Sequence, residues 1–387
     1  MITIGRRRFL ATAAIFPLSR ATAMANKDNE IRLYVGTYTS GGSSSKGIYL
    51  LEFDQGMGGL GEPKLVAETE DPSFLAVSRD GKYLYAVNET LKYEGKDSGY
   101  VSAFAIDKKA GYLKLLNRQP SHGAAPCHIT LSDRGDLVLV TNYLGGNVAA
   151  FPVASDGSLK PASDVKQHTG KCPNAARQEA PHAHSVILDG ANRFAFVNDL
   201  GIDRVVVYSV DRRSGMLTAT SDGFSAKPGA GPRHFKFHPS GNFAFLNNEL
   251  DMTVTSLSVD ANKGKLTEVQ TLSSLPEGHK QTKEDSGADL HVSSDGRFLY
   301  ASNRGHDSIS TFTIDQTSGR LTFIDVVKTG GQTPRNFALD PTGKFLLAAN
   351  QNSDSITVFK IDDKTGKLTS TNNGEPVPRP VCLVFAP

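Results

Sequence analysis

Tryptophan is absent from the 387 residues, and cysteine occurs only three times. The missing tryptophan excludes any fold read from tryptophan signatures and disfavours propellers that stack a quinone cofactor on an indole. Cys127, Cys172 and Cys382 form neither a Cys-x-x-Cys pair nor a cysteine–histidine metal spacing. Buried or partly buried free thiols are expected, with a Cys172 disulfide as the lesser alternative. Charge of one sign is equally scarce: 42 Lys+Arg stand against 40 Asp+Glu, a net charge of +2. Without a basic tract, electrostatic capture of nucleic acid is not expected. No apolar run approaches the ~20 residues needed to span a bilayer, and past residue 25 no stretch sustains a 3.6-residue apolar period. At 39% hydrophobic and 21% charged residues, wholesale disorder is excluded too.

What is present begins with a targeting pattern. Arg6-Arg7-Arg8-Phe9-Leu10 has two arginines, a free position and an apolar pair, followed by a short apolar stretch and the small-x-small site Ala23-Met24-Ala25. Residues 1–25 are therefore read as a twin-arginine signal peptide and residues 26–30 as a leader. Cleavage removes four arginines and no acids, which turns the net charge from +2 to −2. The expected destination is the bacterial periplasm, reached through the twin-arginine export machinery, with no membrane anchor.

The rest of the chain is one motif written repeatedly: an apolar strand, a turn carrying Gly, a second apolar strand, then Asn or Asp. Copies start at Pro72, Pro126, Pro232, Gly287 and Pro334, with a variant, AHSVILDGANRFAFVNDL, at Ala183. The closing residues are Asn88, Asn142, Asp199, Asn248, Asn303 and Asn350. A third strand follows each pair, then an Asp-bearing turn, a Gly-x-Leu (Gly264-Lys265-Leu266, Gly319-Arg320-Leu321) and a fourth strand. The turn aspartates read as backbone caps rather than calcium ligands. Four antiparallel strands per ~50 residues is the unit of a β-propeller. The predicted fold is all-β: one seven-bladed β-propeller domain over 31–387. Six copies are complete. The seventh blade takes IRLYVGT and GIYLLEFD from the N-terminal end and PVCLVF (380–385) from the other, so strands from both termini close the ring.

Aligning the copies on the turn shows which residues share a location. The start of each first strand and the end of each second lie at one end of the hairpin. These positions vary in charge while the strand interiors repeat, as a site built on a scaffold should. One face thus collects His128, His184, Arg233, His234, Glu249, Arg304 and Arg335, with Glu89 and Asp289. Cations gathered on one mouth repel unless an anionic ligand or the acids compensate.

Pro181-His182-Ala183-His184, Gly231-Pro232-Arg233-His234, Asn247-Asn248-Glu249-Leu250 and Ser302-Asn303-Arg304 resemble the lactonase family of seven-bladed propellers. That family includes propeller-type 6-phosphogluconolactonases and carboxy-muconate cycloisomerases. The resemblance spans nearly all of 31–387. It implies His184, Arg233, Glu249 and Arg304 as catalytic residues, the same face that the register selects. His128, His182, His234 and Arg335 are expected to bind substrate. The implied activity is hydrolysis of a sugar-type lactone, anionic in character. Glu249 would be the base for water, His184 the proton donor and acceptor, and the arginines would stabilise the oxyanion. No metal or cofactor is expected, although the four histidines are testable as a metal set, and a monomer is anticipated. Two alternatives stay open: a cycloisomerase of a muconate-type diacid, and a non-catalytic periplasmic binding propeller.

Overall fold

The structure, a computed structural model, describes residues 29–220 and 223–387. The expected signal segment 1–25 and residues 26–28 of the leader lie outside the described residues. The first strand begins at Glu30, so the last residue assigned to the leader is already paired, opposite Asp54.

Seven antiparallel sheets are present. Blade 1 combines Pro380–Phe385 with Glu30–Thr37, Gly47–Asp54 and the outer pieces Gly59–Leu60 and Lys64–Glu68. The other six each use consecutive chain, their first strands being Phe74–Val77, Pro126–Leu131, Ala183–Leu188, Pro232–Phe237, Ser286–Val292 and Pro334–Leu339. Each first strand touches the first strands of the blades on either side, and Pro380–Phe385 touches both Phe74–Val77 and Pro334–Leu339, so the ring closes. The predicted closure by both termini is what the sheet contains: Tyr34 faces Val384 and Val35 faces Leu383.

The core is divided in the same way. Seven separate apolar clusters lie between neighbouring blades, for instance Leu33, Val35, Leu51 and Phe53 of blade 1 against Phe345, Leu347, Ile356 and Val358 of blade 7. The Gly-x-Leu repeat belongs to these junctions. Gly319 has φ 71°, and a Cβ there would lie 2.4 Å from Cδ1 of Phe243 in the preceding blade. Glycine is the residue that lets the outer turn close onto that ring. The turn aspartates cap backbone: Asp107 accepts from the N–H groups of Lys109 and Ala110, and Asp315 from those of Thr317 and Ser318. In the variant fourth blade Asn192 (φ 54°) adopts the left-handed conformation that glycine supplies elsewhere, one of the few other residues that tolerates it.

Candidate active site

At one end of the ring the first strands of all the blades except blade 2 enter through a β-bulge. In blade 4, Ala183 faces Asp199 and Ser185 faces Asn198, which leaves His184 as the extra, unpaired residue. The same shift leaves Arg233 between Pro232 and His234 in blade 5, and Arg335 between Pro334 and Asn336 in blade 7. A bulge bends the strand and re-aims its side chain. Here the bulged residues turn into the central channel, where Cys127, His184, Arg233, Arg335 and Val381 line one cavity together with Ser73, Phe74 and His234. The following residues, His128 and His234, return to the ladder opposite Thr141 and Asn247.

Glu249, directly after the second strand of blade 5, is the hub. It is 3% exposed. Its Oε2 lies 2.9 Å from Arg233 Nε, 3.1 Å from Arg304 Nη2 and 4.0 Å from His184 Nε2. Its Oε1 accepts from Arg177 Nη2 at 2.5 Å. Backbone carbonyls hold the two inner arginines: Arg233 Nη1 donates to Ala288 O, and Arg304 Nη2 to Gly287 O at 2.7 Å. The expected quartet His184, Arg233, Glu249 and Arg304 is thus brought together from blades 4, 5 and 6. His184 Nδ1 and Arg304 Nε are buried without hydrogen-bond partners, an unusual state for polar atoms and one that a ligand relieves.

The electrostatics bear on the expected roles. Burial pushes the Glu249 carboxyl up, but Arg304, Arg233 and Arg177 outweigh it and hold the group well below the usual carboxylate range. A carboxylate so stabilised stays ionised at neutral pH and is a weaker base than an ordinary glutamate. Burial, followed by Arg233, His234, Arg335 and Arg304, keeps His184 neutral by lowering its pKa far below the ordinary value. Its imidazole is therefore in the proton-accepting form. Burial also brings Arg233 down to about 9, still cationic at neutral pH.

Of the four residues expected to bind substrate, His234 and Arg335 line the cavity with His184. His234 donates from Nδ1 to Asp289 Oδ1 at 2.7 Å; burial and Arg233 lower its pKa to about 4 against the pull of that acid. Arg335 rests over the Tyr38 ring at 5.3 Å, and no ion pair or hydrogen bond engages its guanidinium among the described residues. Beside it, Tyr38 Oη donates to Glu89 Oε2 at 2.9 Å. His128 stacks on Phe74, with centroids 4.3 Å apart. His182 is set back: Nδ1 donates to Tyr143 O at 3.0 Å, Nε2 lies 3.1 Å from Glu179 Oε1, and the ring stacks on Tyr143. It supports the wall instead of lining the cavity. The four histidines do not form a metal set: no group of three or more His, Cys, Asp or Glu suited to a metal occurs among the described residues.

Two residues escaped the sequence reading. Tyr143 stands edge-on to His184 at 5.6 Å. It directly follows the closing Asn142, the position that Glu89 and Glu249 hold in their own blades. Arg177 sits in the 168–182 loop, which has no counterpart in the repeat, so no register pointed to it. The three cysteines are free, and Cys127 Sγ donates to the His184 carbonyl at 3.1 Å.

Residues 32–385 match the family described as lactonase, 7-bladed beta-propeller. A 6-phosphogluconolactonase of Bacillus subtilis (strain 168) is 41% identical over 352 residues, covering 91% of this chain and 97% of that protein. A 6-phosphogluconolactonase of Formosa agariphila is 37% identical over 319 residues, covering 80% and 86%. Among solved structures, the periplasmic gluconolactonase of Pseudomonas aeruginosa superposes with a TM-score of 0.85 at 35% identity, covering 92% of this chain and 99% of that one.

Proposed function

This chain belongs to the seven-bladed β-propeller lactonase family, and from that membership we propose that it hydrolyses an anionic sugar-type lactone. The observation that carries the reading is the Glu249 hub, where a neutral imidazole meets the guanidiniums of Arg233 and Arg304 and where His184 Nδ1 and Arg304 Nε are buried without hydrogen-bond partners. Opening a lactone requires a stabilised oxyanion, an activated water and a proton for the departing ring oxygen. Arg233 and Arg304 stabilise the oxygen that becomes negative in the tetrahedral intermediate. His184 takes the proton from the attacking water and returns it to the ring oxygen as the C–O bond breaks. Glu249 fixes both arginines and, at 4.0 Å, favours the imidazolium that His184 transiently becomes.

Charge supports an anionic substrate. Arg177, Arg233, Arg304 and Arg335 outnumber Glu89 and Glu249 around the cavity, and Asp289 is engaged by His234, His291 and Asn336. Arg335 is the cation left for a carboxylate or phosphate on the substrate. We also propose export through the twin-arginine route to the periplasm, on the strength of the Arg6-Arg7-Arg8-Phe9-Leu10 pattern and the periplasmic relative. No helix among the described residues is long and apolar enough to cross a membrane. The deciding experiment is acid release at fixed pH from gluconolactone, 6-phosphogluconolactone and other sugar lactones. Turnover that disappears in Arg233→Ala supports the reading; a folded wild type that opens no lactone overturns it.

A further inference from the structure

We infer that the 168–182 loop is part of the active site: it delivers Arg177 to Glu249, and the His168–Asp199 pair is the clasp that holds it there. The repeat exposes this clasp. After the outermost strand of every blade one residue donates its backbone N–H to the loop that precedes the third strand, as Ser121 does to Gly99 O, His168 to Gly146 O, Ser274 to Met252 O and Thr329 to Asp307 O. At three of these junctions the side chain, or the carbonyl beside it, meets the closing asparagine of the next blade. Asn88 donates to Thr69 Oγ1, Asn142 to Ser121 O, and Ser274 Oγ donates to Asn303 Oδ1. Between blades 3 and 4 both partners are replaced at once. Histidine stands where Thr69, Ser121, Ser274 and Thr329 carry hydroxyls in four other blades, and Asp199 where the other closing residues are asparagine; His168 Nδ1 meets Asp199 Oδ2 at 2.6 Å, with both side chains at 3% exposure or less.

This is also where the longest inter-blade connection lies, and Asp199 grips both its ends. Oδ2 holds His168 at the start, and Oδ1 accepts from the His182 N–H at the finish at 2.8 Å. Gln178 pins the middle by donating to Leu200 O and Asp203 Oδ1. A long loop costs conformational entropy to order, and a buried charge-assisted contact is the stronger kind of fastening. What the ordered loop presents is Arg177. Its Nη2 donates to Glu249 Oε1 and to Tyr143 Oη at 3.1 Å, and 41% of its side chain remains exposed at the rim. By occupying Oε1 it leaves Oε2 to Arg233 and Arg304. Arg177 is thus a positioning residue for the two inner arginines, acting through Glu249, and Asp199 positions Arg177.

The kinetic test rests on the lactonase reading; the structural test does not. In the full chain, Arg177→Ala should lower kcat about ten- to hundredfold with KM little changed, as expected when a contact to a charged group is lost from a preorganised site. Asp199→Asn, which restores the amide of the other blades, should lower kcat roughly tenfold through misplacement of Arg177. In an Arg177→Ala background the same change should add almost nothing. Hydrogen exchange, which needs no substrate, should show 168–182 opening faster in Asp199→Asn and blades 6 and 7 unchanged. His168→Ser, using the side chain found at Ser121 and Ser274, repeats the test if Asp199→Asn folds poorly. Unchanged exchange in 168–182, or an Asp199→Asn effect that multiplies fully with Arg177→Ala, overturns the inference whether or not the lactone assay succeeds.

Discussion

Replacing Glu249 with glutamine keeps the shape of the hub and deletes its charge. Three guanidiniums, Arg177, Arg233 and Arg304, are then left around a neutral amide that is 3% exposed in the wild type. Each contact at this range is worth about 4 kcal/mol at an effective dielectric of 20, before the cost of burying the charges is subtracted. Breaking a buried ion pair by removing one partner costs roughly 3–5 kcal/mol net, the better guide here. The pH dependence follows from the sign of the shift. Arg304, Arg233 and Arg177 depress the folded-state pKa of Glu249 despite burial, so its stabilisation is fully present above the unfolded value of about 4.3 and fades as pH falls toward the folded value. Urea unfolding of wild type and Glu249→Gln should therefore differ by roughly 3–5 kcal/mol at pH 7. Below about pH 4.3 the gap should close by about 1.4 kcal/mol per pH unit. A gap that stays constant from pH 7 to pH 3 would refute the claim that the arginines hold this carboxyl ionised. Turnover at pH 7 should fall by a factor of about 10² or more, because both oxyanion donors lose their anchor.

Three further outcomes can be checked separately. His184→Ala should lower kcat by about 10²–10⁴ while leaving the unfolding midpoint close to that of wild type, measured by acid release and urea titration. Arg335→Ala should raise KM for a phosphorylated or carboxylated lactone roughly tenfold and leave a neutral lactone unaffected; equal effects on both would remove Arg335 from anion recognition. Gly319→Ala places a Cβ at φ 71° against the Phe243 ring. It should destabilise by more than the ~1 kcal/mol that an unstrained glycine-to-alanine change gains, seen as a lower urea midpoint with unchanged KM.

The blades were legible because they repeat. Apolar strand, glycine turn, apolar strand and closing amide recur at a spacing that no composition produces by chance, and PVCLVF at 380–385 had no partner except the N-terminal strands. The register also named the cavity lining, since the residue after the proline position is the one that bulges in blades 1, 3, 4, 5 and 7. The bulge itself was not legible. An extra residue in one strand is a property of backbone pairing, and His184, Arg233 and Arg335 carry no local signal for it. The charge state of Glu249 was not legible for a related reason. Glu249 reads as an ordinary carboxylate until Arg177 is placed beside Arg233 and Arg304, and Arg177 lies in a loop outside the repeat. His182 shares its motif with His184 but faces the Tyr143 wall, because only one of the two residues occupies the bulge.

Stability and chemistry occupy different parts of this ring. The apolar clusters run between blades, whereas the charged hub sits where strand ends meet in the channel. A core that holds seven sheets upright is indifferent to what their ends display, so the bulged positions are free to be Cys127, His184, Arg233, Arg335 or Val381 without changing the fold. The cost falls on the hub alone. Arg233, at 1% exposure, is held by Glu249 and one backbone carbonyl, and an apolar side chain of the same volume would avoid the desolvation that it bears. That an arginine stands there, with a histidine nitrogen unpartnered beside it, is a local sacrifice of stability that makes physical sense only if the charges are used. The same reasoning covers Asp199 and His168. An amide and a hydroxyl fasten other junctions, so the buried acid at this one belongs to the loop it holds and to the arginine that loop carries.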